Sequence, residues 1–181
     1  YRNWHIVTAP PPSSGGIALA EMFNMLSGYD LAKLDRVHRV HTIVETMRRA
    51  FRDRAEYLGD PDFVQMPVAE LTSPLYAAGL RASIHPDKAT PSDMLPGYMP
   101  PVESPHTSHF SIIDADGNLV SATQTVNTTF GSKFVAPGTG FVLNNEMDDF
   151  ALVAGKPNAY GLLGADANAP KPGSRPLSSM T

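Results

Sequence analysis

The spacing of apolar residues predicts helices in the first half of the chain and strands in the second. The clearest helix runs from Asp35 to about Leu58, where apolar residues recur at steps of three and four: Val37, Val40, Val44, Met47 and Phe51. The opposite face is charged, and the arginines between positions 48 and 54 are expected to lie on this polar face. Residues 59–61, Gly-Asp-Pro, predict the end of the helix.

Three further elements are predicted in the first half. Residues 4–9 read as a short strand. The Ser-Ser-Gly-Gly segment at 13–16 then favours a helix start, with Gly28 as its stop. The expected apolar stripe of this helix is Leu19, Met22, Phe23 and Leu26. A short helix is expected near Ser73, which is followed by a proline suited to the first turn.

The second half begins after a proline-rich segment, residues 85–106, which predicts an extended, exposed linker. The hydrophobic period then changes to two, which predicts a strand over 109–114, a turn over 115–118 and a returning strand over 119–127. Residues 141–143 predict a third strand. Helices followed by strands indicate an α+β fold.

Composition excludes several classes of function. The chain has 181 residues, of which 42% are hydrophobic, so it is long enough to form a core. Its net charge of -4 gives no electrostatic reason to expect a nucleic-acid partner. It contains no cysteine, which excludes disulfides, thiolate metal sites and a cysteine nucleophile. No apolar run approaches the roughly 20 residues that span a bilayer.

Thr107 is the candidate nucleophile on position alone. It stands where the linker ends and a strand begins, the layout of a propeptide junction in hydrolases that use an N-terminal threonine. In such enzymes the chain is cut before the threonine, and the freed α-amine acts as base for its hydroxyl. A threonine before a strand is also an ordinary β-former. The pattern by itself leaves both readings open.

One group of residues could be read as a metal site. His38, His41 and Glu45 fall at helical spacing on the second predicted helix, but no further ligand is evident. A packed or solvated helix face is the favoured interpretation.

Several motifs follow one another in an order that is typical of one family. They include Thr-Ser-His-Phe-Ser at 107–111, Leu-Asn-Asn-Glu-Met-Asp-Asp-Phe at 143–150 and Arg-Pro-Leu-Ser-Ser-Met at 175–180. Upstream stand Pro-Pro-Ser-Ser-Gly-Gly at 11–16 and Asp-Arg-Ala-Glu-Tyr-Leu-Gly-Asp-Pro at 53–61. Together these motifs resemble the γ-glutamyltranspeptidases.

The resemblance implies a fold and a division of the chain. It implies the αββα sandwich of N-terminal-nucleophile hydrolases, of which this chain holds a part. Residues 1–106 resemble the end of the large subunit, including the linker at 85–106, and residues 107–181 resemble the start of the small subunit. Two family features are missing, an early arginine for the substrate α-carboxylate and a Gly-Gly segment that supplies oxyanion-hole amides.

The resemblance also implies roles for individual residues. Thr107 is the nucleophile, and Thr125 matches the threonine that hydrogen-bonds it and assists cleavage. Asn127, Glu146 and Asp149 match positions that hold the substrate α-ammonium. An ammonium has three donors and needs acceptors, ideally charged ones.

The other implied substrate contacts come from two later motifs. Ser178 and Ser179 match hydroxyls that donate to the α-carboxylate, and Tyr160 matches a lid-loop tyrosine that closes over the site. Asp148, beside Asp149, is expected to point elsewhere.

The activity implied by the resemblance is γ-glutamyl transfer without metal or cofactor. Donors would be glutathione and related amides, and acceptors would be water, amino acids or dipeptides. The remainder of the large and small subunits would be an obligate partner, and the location would be periplasmic or secreted. The alternatives are a cephalosporin acylase, a poly-γ-glutamate depolymerase, or an unprocessed relative that acts as a binding or structural module.

Overall fold

The structure, a computed structural model, describes residues 1–95 and 107–180. Four helices precede a β-hairpin in these ranges, and the rest is mostly loop with short 3-10 turns. The helices are α1 (Gly15–Leu26), α2 (Arg36–Tyr57), α3 (Val68–Leu71) and α4 (Pro74–Ala82), and the strands are β1 (Ser108–Ile113) and β2 (Leu119–Gln124). These elements confirm a mixed helix and sheet fold. They include one two-stranded sheet in the described ranges, which is only a part of the expected four-layer sandwich.

Helix α2 has the predicted boundaries. Asp35 caps its first turn by accepting a hydrogen bond from the backbone N–H of His38 at 2.9 Å. The helix ends at Tyr57, and Leu58 follows in an extended conformation. The expected end at residues 59–61 is therefore confirmed to within a residue or two.

The predicted orientation of α2 is wrong. Val37 and Val40 on its apolar stripe are 75% and 53% exposed, whereas Arg49 on the expected polar face is buried. Arg49 is buried because Glu45 accepts hydrogen bonds from it at 2.7 Å and from Arg48 at 2.6 Å. An ion pair that is fully hydrogen-bonded can occupy an interior position, which the hydrophobic pattern alone does not anticipate.

Helix α1 starts at the predicted place but buries a different face. Ile17, Ala18 and Met25 are buried, and only Leu26 of the expected stripe joins them. The side chain of Ser14 makes no cap to this helix; its hydroxyl donates instead to the carbonyl of residue 178 at 2.7 Å. Long-range packing against the C-terminal segment therefore sets the rotation of α1.

The hydrophobic core connects the helices to the end of the chain. Ile17 of α1, Leu58 after α2, Leu71 of α3 and Leu177 form one buried cluster. Leu177 directly precedes Ser178 and Ser179, so the packing of its side chain fixes the backbone from which both hydroxyls project.

The β-hairpin is confirmed, although its second strand ends at Gln124 and not at the predicted residue 127. Its register runs antiparallel from Ser108 opposite Gln124 to Ile113 opposite Leu119. Its turn is held by Asp114, whose side chain accepts the backbone N–H groups of residues 116 and 118. The third predicted strand is wrong, since residues 141–143 contribute only an isolated bridge between Val135 and Val142.

The remaining sequence predictions have mixed outcomes. The strand over residues 4–9 is wrong, because this segment has no pairing partner within the described ranges. The short helix is confirmed as α4, capped by the Ser73 side chain. The described part of the linker, 85–95, is less extended than expected: it contains a 3-10 turn at Ser92–Met94, and Thr90 bonds to Glu45. Residues 96–106 of the linker lie outside the described residues.

The three residues at metal-like spacing on α2, His38, His41 and Glu45, have other partners. His38 contacts Asp35 and Asp87, and His41 contacts the carbonyl of residue 85. Glu45 is occupied by arginines. In the described ranges no group of three or more metal-ligating side chains is found, and none of the helices there is long and apolar enough to cross a membrane.

Candidate active site

One cleft of about 350 Å³ lies between the hairpin, the end of α2 and the C-terminal segment. It brings together every side chain that the sequence predicted as catalytic or substrate-binding: Thr107, Thr125, Asn127, Glu146, Asp149, Tyr160, Ser178 and Ser179. Thr107 and Ser179, the first and last of these residues, are 72 positions apart in the chain.

Two threonines face each other at the open end of the hairpin. The register that pairs Ser108 with Gln124 places Thr107 opposite Thr125. The Thr107 hydroxyl donates to the Thr125 hydroxyl at 3.3 Å, and Thr125 Oγ1 also accepts the backbone N–H of Asn127 at 2.9 Å. The second contact fixes the Thr125 side chain and thereby the position of its partner.

Asn127 forms one wall of the cleft. Its backbone has φ 73°, in the left-handed region where asparagine is tolerated. Its side-chain amide donates to the carbonyl of Asn145 at 3.1 Å, and its own backbone carbonyl accepts a hydrogen bond from the Tyr160 hydroxyl. Tyr160 therefore ties the loop that carries it to this wall.

The acidic wall is a 3-10 turn, Glu146–Asp149. Burial and, after it, the hydrogen bond and charge of Glu146 raise the pKa of Asp149 to about 7, while Arg54 opposes the rise. Asp148 is used differently: its carboxylate accepts the backbone N–H of Ala159 at 3.0 Å and so holds the following loop. Two acidic side chains facing the cleft make it suitable for a cationic group.

The serine pair is held by the start of the chain. The N–H of Ser178 donates to the carbonyl of Pro12 at 3.0 Å, and the N–H of Ser14 donates to the carbonyl of Ser178 at 2.8 Å. Ser178 Oγ accepts the N–H of Met180 at 3.1 Å, and Ser179 Oγ accepts the Nε–H of Arg54 at 3.0 Å. Because both oxygens act as acceptors here, each hydroxyl keeps its hydrogen for donation to an anionic group.

Arg54 is a residue of the cleft that the sequence interpretation missed. It was assigned to the polar face of α2, yet it is only 6% exposed and lines the cleft together with Phe51. A signal was present: steps of three and four from Val37 to Phe51 lead next to position 54, so this arginine stands on the apolar stripe. A charged residue at a stripe position indicates a buried functional or paired charge.

The cleft therefore combines a fixed hydroxyl pair, a wall for a cation and two hydroxyl donors for an anion. This is the arrangement expected of an enzyme that attacks an amide carbonyl with a hydroxyl nucleophile and recognises an amino acid by both of its charged groups.

Comparisons with known proteins agree with this class. Residues 1–181 match the gamma-glutamyltranspeptidase family. The chain is 51% identical to a glutathione hydrolase proenzyme of Pseudomonas sp. (strain A14) and 46% identical to that of Escherichia coli (strain K12), in each case over 100% of the chain and 32% of the relative. The chain belongs to the gamma-glutamyltranspeptidase family, and it spans about a third of the length of these relatives.

A solved structure extends the likeness to the fold. The cephalosporin acylase from Bacillus halodurans is 27% identical, with a TM-score of 0.67 over 94% of this chain and 28% of the acylase. The fold of this chain is thus similar to part of a related acylase.

Proposed function

We propose that the protein containing this chain transfers γ-glutamyl groups from glutathione and related amides to water, amino acids or dipeptides. The observation that carries the proposal is the meeting, in one cleft, of the Thr107–Thr125 hydroxyl pair with Asp149 and the serine pair. Family membership supports the same chemistry, because the relatives that match over the whole chain are named glutathione hydrolase.

Thr107 acts as nucleophile after the bond between residues 106 and 107 is cut. Its freed α-amine accepts the hydroxyl proton as Oγ1 attacks the γ-glutamyl carbonyl, and the amine then returns the proton to the leaving amide nitrogen. The resulting ester is attacked by water in hydrolysis or by an amino group in transfer. Thr125 keeps the attacking oxygen in place, and the β-branched Thr107 side chain is itself stiff about χ1.

Recognition of the donor uses its two charged groups. The α-ammonium is held by Asp149, Glu146 and Asn127, and the α-carboxylate by the hydroxyls of Ser178 and Ser179. Tyr160 closes the wall behind the donor through its bond to the carbonyl of Asn127.

The rest of the protein completes the site. Residues 1–106 belong to the large subunit and residues 107–181 to the small one, and the remaining parts of both supply the carboxylate arginine, the oxyanion-hole amides and the αββα layers. The exposed apolar residues on α2 and on the hairpin, such as Val37 and Ile113, are the surfaces these parts cover. We expect a periplasmic or secreted protein, and we expect the isolated chain to be inactive, since an oxyanion donor contributes about 10²–10³ in rate.

Intact mass spectrometry of the full-length protein tests self-cleavage. The wild type is expected to give two fragments, one with its N-terminus at Thr107, whereas Thr107→Ala is expected to stay whole. Thr107→Ser keeps a hydroxyl and serves as the matched control that still cleaves. A wild-type protein that remains a single chain would contradict the proposal, because the α-amine of Thr107 would stay blocked in a peptide bond.

A cephalosporin acylase activity is the second candidate, favoured by the likeness to the Bacillus halodurans acylase. The two candidates differ in the substrate group that meets the acidic wall. Two carboxylates at Glu146 and Asp149 favour a donor with a free α-ammonium. Comparing γ-glutamyl-p-nitroanilide with glutaryl-p-nitroanilide, which lacks the ammonium, separates them: preference for the glutaryl compound would replace the proposal by the acylase.

A further inference from the structure

Arg54 is the cationic side chain of the cleft that none of the roles above uses. It lies three residues before the end of α2, it is 6% exposed, and its Nε–H is shared between Ser14 Oγ and Ser179 Oγ, each at 3.0 Å. Removing a guanidinium from water is costly unless it is paired and hydrogen-bonded. The burial of Arg54 therefore needs a compensating contact.

Two kinds of contact compensate it. The first is the pair of hydrogen bonds to Ser14 Oγ and Ser179 Oγ, which joins the start of α1 to the C-terminal segment. The second is electrostatic: Arg54 and Asp149 line the same cleft, and the negative charge of Asp149 stabilises the cation. Burial lowers the pKa of Arg54 to about 10, so the side chain keeps its charge at neutral pH.

We infer that Arg54 is a positioning residue for donor recognition, which fixes the hydroxyl of Ser179 and balances the negative charge of Asp149. The inference rests on the proposed function and adds a residue to it. By donating to Ser179 Oγ, Arg54 orients this hydroxyl so that its hydrogen is available to the donor carboxylate. From the same cleft, its positive charge lowers the pKa of Asp149 and so favours the carboxylate form that binds the donor ammonium.

The balance of charge around Asp149 explains why one cation matters. Glu146 and Asp148 both raise the pKa of Asp149, and Arg54 lowers it. Lys156 lines a neighbouring cavity together with Asp149, and Thr107, whose α-amine is freed by cleavage, lines the same cleft as Asp149. Loss of Arg54 would leave the carboxylate among negative neighbours, so it would hold its proton to a higher pH.

Three variants of the full-length protein separate these effects. Arg54→Met removes both the charge and the hydrogen bonds at similar volume. Arg54→Lys keeps the charge but lacks the Nε–H that is shared between the two hydroxyls. Arg52→Met is the matched control, since Arg52 lies on the same helix, pairs with Asp53 and is absent from this cleft.

The readouts are KM and kcat for γ-glutamyl-p-nitroanilide from pH 5 to pH 9, and the titration of the Asp149 side-chain carbon by carbon-13 NMR, assigned with Asp149→Asn. For Arg54→Met we expect KM to rise about tenfold or more and the Asp149 titration to move up by about one pH unit. The acid limb of kcat/KM, to which the Thr107 α-amine also contributes, should move in the same direction. For Arg54→Lys we expect the raised KM without the moved limb. Arg52→Met should change neither.

The outcomes separate the inference from the proposed function. If the wild type turns over the anilide and Arg54→Met matches Arg52→Met in KM and in the acid limb, Arg54 has only a structural role and the inference is wrong. If the wild type does not turn over the anilide, the proposed function fails, and the NMR titration still decides about Arg54. An Asp149 titration unchanged by Arg54→Met would then overturn the inference.

Discussion

Replacing Glu21 by glutamine is expected to stabilise the protein at neutral pH. Glu21 lies on α1 and is 1% exposed, and within residues 1–95 and 107–180 its Oε1 has no hydrogen-bond partner. A hydrogen bond links its carboxyl to that of Asp53, which also accepts from the Tyr76 hydroxyl at 2.7 Å and from Arg52 at 3.0 Å. Burial, and after it the charge of Asp53, raises the pKa of Glu21 to about 9.

The size and sign of the effect follow from the difference in pKa. An unfolded glutamate titrates at 4.5, so between about pH 4.5 and pH 9 the folded state binds one more proton than the unfolded state. The contribution of Glu21 to the free energy of unfolding is therefore fully present below pH 4.5. It falls as the pH rises toward 9, by about 1.4 kcal/mol per pH unit at most. At pH 7, keeping Glu21 protonated in the folded state lowers the free energy of unfolding by about 3 kcal/mol. Glutamine avoids this cost, because its amide donates to Asp53 as the protonated carboxyl does.

Denaturant unfolding of the full-length protein at pH 5, 6, 7 and 8 measures the effect. The stability advantage of Glu21→Gln over the wild type is expected to grow with pH, by up to about 4 kcal/mol between pH 5 and pH 8. Glu56→Gln makes the same chemical change at an exposed position of α2 and should run parallel to the wild type. Parallel curves for Glu21→Gln as well would refute a protonated Glu21 in the core.

Two further predictions concern the cleft. Thr125→Val removes the hydroxyl that meets Thr107 at 3.3 Å, so we expect self-cleavage, followed by gel electrophoresis over time, to slow by roughly tenfold or more, while Thr125→Ser stays near the wild type. A Thr125→Val protein that cleaves at the wild-type rate would contradict this role. Asp149→Asn is expected to raise KM for γ-glutamyl-p-nitroanilide at least about tenfold at pH 8 and to remove the Asp149 contribution to the fall of kcat/KM below about pH 7, leaving the contribution of the Thr107 α-amine, which must be unprotonated to act as base. Asp148→Asn, the control, should keep the wild-type pH dependence of kcat/KM. If Asp148→Asn changes this pH dependence as Asp149→Asn does, the assignment to Asp149 is wrong.

Much of the local structure could be predicted from the sequence, because it is decided by neighbours in the chain. Asp35 predicted the start of α2, since a capping carboxylate needs only the N–H groups of the next turn. The hairpin followed from a period of two on either side of an Asp-Gly-Asn turn at 116–118. Asp114, just before this turn, accepts from backbone N–H groups two and four residues further on. The strand predictions at 4–9 and 141–143 were wrong, because a strand requires a partner that its own residues do not specify.

The direction in which helices face was not predictable from the same patterns. The valines of α2 form a regular stripe, yet the structure buries Arg49 and Glu45 opposite them, because an ion pair with satisfied hydrogen bonds can replace an apolar contact. Arg54 differs, because it stands at a position of the stripe and is buried by polar partners. Its burial depends on Ser14 and Ser179, which lie 40 and 125 positions away.

By itself, the sequence determined the family, the boundaries of α2, the starts of α1 and α4, the hairpin, and the eight side chains that converge on the cleft. Motif order and local spacing carry this information, since each motif is read within a few residues. Only the tertiary structure decided which helix faces are buried, that Glu21 and Asp53 share the core, and that Arg54 joins the serine pair to the acidic wall. These features depend on charges brought together from distant positions, where burial sets both their pKa and their pairing.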